Sequence, residues 1–140
     1  MTDTSTTDTS TTDTSTTDIG AATIDAYFAM WNEEDPARRA ALVEQAWVKD
    51  GRYLDPVLEA EGHAALSQMV EGVHQQFPGQ RFRRLSQVDA HHGQVRFAWQ
   101  LGSADGTVTV AGIDVGELAP DGRLRRITGF FGDLATAGQS

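Results

Sequence analysis

The hydrophobic period of this chain changes once, and that change limits the folds open to it. Before about residue 79 the apolar side chains recur every three to four residues. From Gln80 onward they alternate. A run of helices followed by a run of strands predicts an α+β domain rather than a βαβ alternation. Ile24, Tyr27, Phe28 and Trp31 form the stripe of a first amphipathic helix, with Asp18 or Thr23 as the candidate cap. Asp35-Pro36 opens a second helix, apolar along Leu42, Val43, Ala46 and Trp47 and stopped by Asp50-Gly51. Arg52 to Pro56 reads as a short strand ended by proline. A third helix begins near Gly62, buries Leu66, Met69, Val70, Val73 and Phe77, and ends at Pro78-Gly79. Beyond it, Val95, Phe97, Trp99 and Leu101 share one face of a strand. Val108, Val110, Gly112, Asp114 and Gly116 share a face of the next, and Ile127, Gly129 and Phe131 a face of the last. Turn residues at 90–93, 103–106 and 120–122 join them into a four-stranded antiparallel meander. A sheet that long must curl, the three helices are its available cover, and its interior is a natural ligand pocket.

Composition narrows the function classes. Residues 2–18 are only Thr, Ser and Asp, in a five-residue repeat. With no apolar side chain to offset the entropy of ordering, residues 1–18 are expected to be a disordered tail, residues 19–133 the domain, and 134–140 a flexible end. The net charge is −9, and the tail aspartates Asp3, Asp8, Asp13 and Asp18 account for four of those charges. The body is therefore acidic too, which argues against a nucleic-acid partner. There is no cysteine, hence no disulfide, thiolate nucleophile or cysteine-held metal. No apolar run reaches the ~18 residues a bilayer needs, and the start lacks the features of a signal peptide. The expectation is a cytoplasmic protein without a membrane partner.

Few residues can carry chemistry. His63, His74, His91 and His92 lack metal-ligand spacing, and the chain has no nucleophile elbow, phosphate loop or dinucleotide fingerprint. Asp114 stands out because it sits mid-strand on the face of Val110 and Gly112. Either that face is wet, or the carboxyl is kept neutral in an apolar cavity. Asp55 ends a strand in Tyr-Leu-Asp-Pro, where an aspartate before proline is also an ordinary turn residue. Tyr27 lies on the core stripe of the first helix, where its phenol needs a partner. Trp31, Trp47 and Trp99 read most simply as core.

The succession of helix, helix, Tyr-Leu-Asp-Pro, helix ending in Phe-Pro-Gly, then strands with Gly-Ile-Asp-Val and Asp-Gly-Arg-Leu-x-x-Ile-x-Gly-Phe-Phe resembles the SnoaL-like branch of the nuclear transport factor 2-like superfamily over residues 20–133. The resemblance implies a cone: a curved antiparallel sheet wrapped by three helices around an apolar cavity, often a homodimer through the sheet. Exposed-face residues such as Ile113 and Val115 fit that dimer. Its site residues look most like those of the ketosteroid isomerases. By that likeness Asp55 falls on the catalytic base, Tyr27 on the oxyanion tyrosine and Asp114 on the neutral oxyanion acid. Trp47 and Val70 stand where that family often has supporting tyrosines. Ile127 and Gly129 replace the His-x-Asp of the cyclases, and Trp99 and Leu101 the Arg-x-Asp of the epoxide hydrolases. The implied pocket is lined by Trp31, Tyr53, Val70, Phe77, Phe97, Trp99, Val110, Gly112 and Phe131. The implied activity is cofactor-free and metal-free proton transfer on a small hydrophobic carbonyl compound. The alternative is a non-catalytic module that binds a small hydrophobic ligand or dimerises.

Overall fold

A computed structural model describes residues 16–134 and 137. Of the expected tail at 1–18, residues 1–15 lie outside the described residues and 16–18 fall in the first helix; most of the expected C-terminal end, 134–140, also lies outside the described residues. Three helices, α1 (Thr16–Asn32), α2 (Pro36–Ala46) and α3 (His63–Gln76), cover one face of a seven-stranded sheet. The strands are β1 (Trp47–Leu54), β2 (Glu59–Glu61), β3 (Arg81–Arg84), β4 (Asp89–His91), β5 (Gln94–Gly102), β6 (Val108–Leu118) and β7 (Leu124–Phe131). Their order is β2-β1-β7-β6-β5-β3, with β4 pairing the other half of β5.

The helix boundaries follow local chemistry with two departures. Asp35 caps α2, its carboxylate accepting the Arg38 N–H at 2.9 Å, with Pro36 at the first position. However, α2 stops at Ala46, and Asp50-Gly51, expected to end it, lies inside β1. Trp47 continues the helical spacing from Val43, yet it is extended and begins the strand. A bulge between Trp47 and Arg52 reconciles the two patterns, since Trp47, Gly51 and Tyr53 are buried while Lys49, Asp50 and Arg52 are exposed. The second departure is at α1, which begins at Thr16, upstream of both expected caps. A formed helix adds one hydrogen bond per residue and does not need an apolar side chain to extend. Thr23 instead moors the helix, donating its hydroxyl to the Gly122 carbonyl.

The sheet is mixed, where alternation alone suggested a purely antiparallel meander. Strands β5, β6 and β7 pair antiparallel as expected, but β1 runs parallel to β7 with Tyr53 beside Ile127 and Leu54 beside Thr128. Alternation specifies which face a side chain takes and says nothing of strand direction. Strands β2, β3 and β4, of three or four residues, are too short to carry a period. The sheet is curved and unclosed, with β2 and β3 at its edges.

The helices bury the concave face. Ile24, Tyr27, Met30 and Trp31 of α1 meet Trp47, Phe97, Trp99 and Ile127 of the sheet, and Leu66 and Val70 of α3 join the same core. Arg39 is 1% exposed. Its guanidinium donates to the Glu33, Glu34 and Ser67 carbonyls and pairs with Glu71 at 3.0 Å, tying the α1–α2 loop to α3. No helix among the described residues is long and apolar enough to cross a membrane.

Candidate active site

The strand register decides what surrounds Asp114. On β6 it faces inward between Gly112 and Gly116, opposite Phe97 of β5 and Gly129 of β7. It is 3% exposed, so of the two sequence readings the buried carboxyl holds. Two donors meet it. The Tyr27 hydroxyl of α1 donates to Oδ2 at 2.7 Å, and the Trp99 indole N–H of β5 donates to Oδ1 at 3.0 Å. Burial pushes Asp114 up to about 7, against the pull of the Tyr27 and Trp99 hydrogen bonds, and the nearby charge of Asp55 adds to the rise. Tyr27 is held well above the ordinary phenol range by burial first and by Asp114 second, so it remains a proton-bearing donor.

Asp55 follows the last residue of β1, and the parallel pairing of Leu54 with Thr128 carries it to Gly129. Its Oδ1 accepts the Val57 and Leu58 N–H groups at 2.8 and 2.7 Å, while Oδ2 accepts the Tyr53 hydroxyl at 2.7 Å. Gly129 is the point where the two carboxyl groups converge. A Cβ there would stand 2.8 Å from Asp114 Oδ1, 3.3 Å from Asp55 Cβ and 3.5 Å from the Tyr53 hydroxyl. Only a residue without a side chain permits this approach.

The expected pocket residues divide into groups. Trp31, Tyr53, Val70, Phe97 and Trp99 are buried in the core, Gly112 is buried between strands, and Val110 is half-buried. The aromatic wall is continuous: Trp31 packs on Tyr53 at 5.6 Å and on Phe82 at 4.8 Å, Phe82 on Trp99, and Trp99 on Phe131. Phe131 is 37% exposed and so stands at the rim. Phe77 lines a surface groove of about 540 Å³ between α1, α3 and β3 that includes neither Asp55 nor Asp114. Trp47 sits 6.0 Å from the Tyr27 ring, but its buried indole N–H has no hydrogen-bond partner among the described residues, so it packs against Tyr27 without supporting the hydroxyl.

Sequence reading missed three roles: Trp99 as a donor to Asp114, Tyr53 as a donor to Asp55, and Gly129 as the gap between them. A signal for the second existed, because Tyr53 and Asp55 are two residues apart on an extended segment and share a face. Among the described residues no three His, Cys, Asp or Glu side chains gather as metal ligands would.

Counting protons shows what the site can offer a ligand. With Asp114 ionised, the Tyr27 proton is committed to Oδ2 and the pair has no free donor. With Asp114 neutral and Trp99 on Oδ1, the added proton sits on Oδ2 and points at the Tyr27 oxygen. The Tyr27 O–H is then free for an oxygen acceptor.

Helices wrapped on the concave face of a curved, unclosed sheet define the class: a nuclear transport factor 2-like, or cystatin-like, α+β fold. Within that class the chain belongs to the SnoaL-like domain family, which matches residues 24–127. A crystal structure named as a putative isomerase of the SnoaL-like family, from Agrobacterium tumefaciens, is 39% identical, with a TM-score of 0.77 over 82% of this chain and 98% of that one. An NTF2-like protein of unknown function from Exiguobacterium sp. 255-15 is 20% identical, with a TM-score of 0.64 over 80% and 99% of the two chains. A protein named as a putative polyketide cyclase, from Sinorhizobium meliloti, is 13% identical, with a TM-score of 0.61 over 77% and 93%. The last two are similar in fold alone. No curated protein matches the chain.

Proposed function

We propose that this chain is a cofactor-free proton-transfer enzyme of ketosteroid-isomerase type, acting on a small hydrophobic carbonyl compound. The observation that carries the reading is the buried, hydrogen-bonded Asp114 brought against Asp55 across Gly129. The relative from Agrobacterium named as a putative isomerase supports it. In this mechanism the substrate carbonyl oxygen accepts the Tyr27 O–H, with neutral Asp114 bonded behind it. Asp55 removes a proton from the carbon α to that carbonyl, and the electron pair of the broken C–H bond delocalises onto oxygen as a dienolate. Asp55 then returns the proton at the γ carbon, so the double bond shifts and the enzyme is unchanged. The phenols stay protonated throughout, since burial and the adjacent carboxyl groups raise both Tyr27 and Tyr53.

An ultraviolet assay of Δ5-to-Δ4 3-ketosteroid isomerisation, run on wild type and Asp55→Asn together, tests this. The expected result is turnover by wild type and none by the variant, while equal turnover by both sinks the mechanism. A non-catalytic module that binds a small hydrophobic ligand is the second reading, favoured by the aromatic wall that runs from Trp31 through Phe82 and Trp99 to the exposed rim at Phe131. Ligand binding with no turnover of any carbonyl probe supports that reading instead. The proposal includes a homodimer through the outer sheet face, where Ile113, Val115 and Phe130 are exposed. Sedimentation equilibrium at twice the monomer mass is expected, and a monomer mass excludes the dimer.

A further inference from the structure

The Asp55 carboxylate does not present its two oxygens equally. Oδ1 already accepts two backbone N–H groups, from Val57 and Leu58, and the Asp55 N–H is itself bonded to the Leu58 carbonyl at 2.9 Å. These bonds close a tight turn around Pro56 and use both lone pairs of Oδ1. Among the described residues Oδ2 has one partner, the Tyr53 hydroxyl, which leaves one lone pair. Tyr53 is 4% exposed, and its ring is fixed edge-on against Trp31 at 5.6 Å, so the hydroxyl is not free to follow a moving carboxyl.

We propose that Tyr53 is the positioning residue of the base: its hydroxyl fixes Oδ2 beside Gly129 and leaves one lone pair there to take the substrate proton. This rests on the proton-transfer reading of Asp55. In the step, the carbon–hydrogen bond breaks, the proton joins Oδ2, and the Tyr53 O–H bond stays intact throughout. Burial, the Asp114 charge and the Asp55 hydrogen bond all raise Tyr53, so it holds its proton and acts as a fixed donor, with no role as a relay. A donor on Oδ2 holds the carboxylate in one orientation. The same bond ties the inner wall of the sheet to the 55–58 turn, where Val57 is 74% exposed.

The test is Tyr53→Phe, which keeps the ring and removes one hydroxyl. Without the anchor on Oδ2 the carboxyl rotates, and the Oδ1 bonds to the turn weaken with it. Hydrogen exchange at the Val57 and Leu58 amides is expected to accelerate about tenfold, and kcat for the 3-ketosteroid probe to fall about tenfold with KM little changed. Both match the low end of one charged hydrogen bond. Unchanged exchange at both amides overturns the proposal, as does a rise in KM at constant kcat, which would make Tyr53 a substrate contact. Faster exchange in the variant with no turnover of any carbonyl probe even by wild type upholds the fixing of the Asp55 carboxyl by Tyr53 and sinks the catalytic reading, so the two failures are distinguishable. If Tyr53→Phe does not fold, 3-fluorotyrosine at position 53 supplies the readout. Its ¹⁹F resonance is expected to shift when Asp55→Asn is introduced, and an unmoved resonance overturns the proposal.

Discussion

Replacing Asp114 by asparagine turns the buried carboxyl into a permanent copy of its neutral form. The amide oxygen can accept the Trp99 N–H, and the amide N–H can donate to the Tyr27 oxygen, so both bonds of the native site have a counterpart. What is lost is the cost of burying charge. In the folded chain Asp114 is raised from an ordinary value of 3.8 to about 7. Between those values the folded state binds a proton that the unfolded state has released, so the stability of wild type falls as pH rises through that window. The fall begins near pH 4, continues to about pH 7 and then levels off. At about 1.36 kcal/mol for each pH unit across that window, the full effect is about 4 kcal/mol as an upper bound. About half of that is a reasonable expectation once water reaches the ionised group. Urea denaturation of wild type and Asp114→Asn at pH 5, 6, 7 and 8 reads the difference directly. The part of the window above pH 5 spans about 2.7 kcal/mol, so at half that worth the variant is expected to gain about 1–1.5 kcal/mol relative to wild type between pH 5 and 8, roughly 4–7 °C in Tm for a domain of this size. A difference that stays constant over that range refutes the claim that Asp114 is neutral in the folded protein below pH 7.

Three further outcomes follow from the same contacts. Gly129→Ala places a Cβ 2.8 Å from Asp114 Oδ1 and 3.3 Å from Asp55 Cβ; a loss of about 1–3 kcal/mol in urea denaturation, with turnover abolished, is expected. Trp99→Phe removes the donor on Asp114 Oδ1. The stability fall just described should then extend to higher pH by about one unit, the worth of a hydrogen bond to charge, and an unmoved curve would show that the indole bond is not formed. Arg39→Met leaves the Glu33, Glu34 and Ser67 carbonyls without their buried donor. It is expected to cost about 2–4 kcal/mol by denaturation, and Arg39→Lys to restore little, because one ammonium cannot reach three carbonyls on a fixed fork.

Much of this architecture was legible in the sequence because its long elements carry a period. Ile24, Tyr27 and Trp31 announce a buried helical face, and Val95, Phe97 and Trp99 a buried strand face, since packing against a core demands those spacings. Asp114 was legible as an anomaly for the same reason: a carboxylate on an apolar face needs either water or a partner. What escaped is what periodicity does not encode. The parallel pairing of β1 with β7 is a matter of chain path. It is this pairing that brings Asp55 and Tyr53 to Gly129, so the convergence of the two carboxyl groups could not be read from spacing. Trp47 was placed on a helix because its interval from Val43 fits one; a bulge allows the same side chain to be buried from a strand. The likeness to the isomerases set Tyr27 and Asp114 side by side as two donors to one ligand oxygen. In the structure they stand in series, Tyr27 on Asp114, and Trp99 completes the carboxyl.

In the proposed mechanism that series arrangement ties ligand affinity to the proton on Asp114. A ligand oxygen that can only accept needs the one free donor, and the donor exists only while Asp114 is neutral. The measurement is the affinity of a Δ4-3-ketosteroid, whose enone oxygen is an acceptor, for wild type and Asp114→Asn between pH 5.5 and 8.5, followed by tryptophan fluorescence. Wild-type affinity is expected to hold below about pH 7 and to fall by up to tenfold per unit above it, while the asparagine variant binds equally at every pH. Wild-type affinity that is the same at pH 5.5 and 8.5 would contradict the claim that a neutral Asp114 behind Tyr27 receives the substrate's carbonyl oxygen.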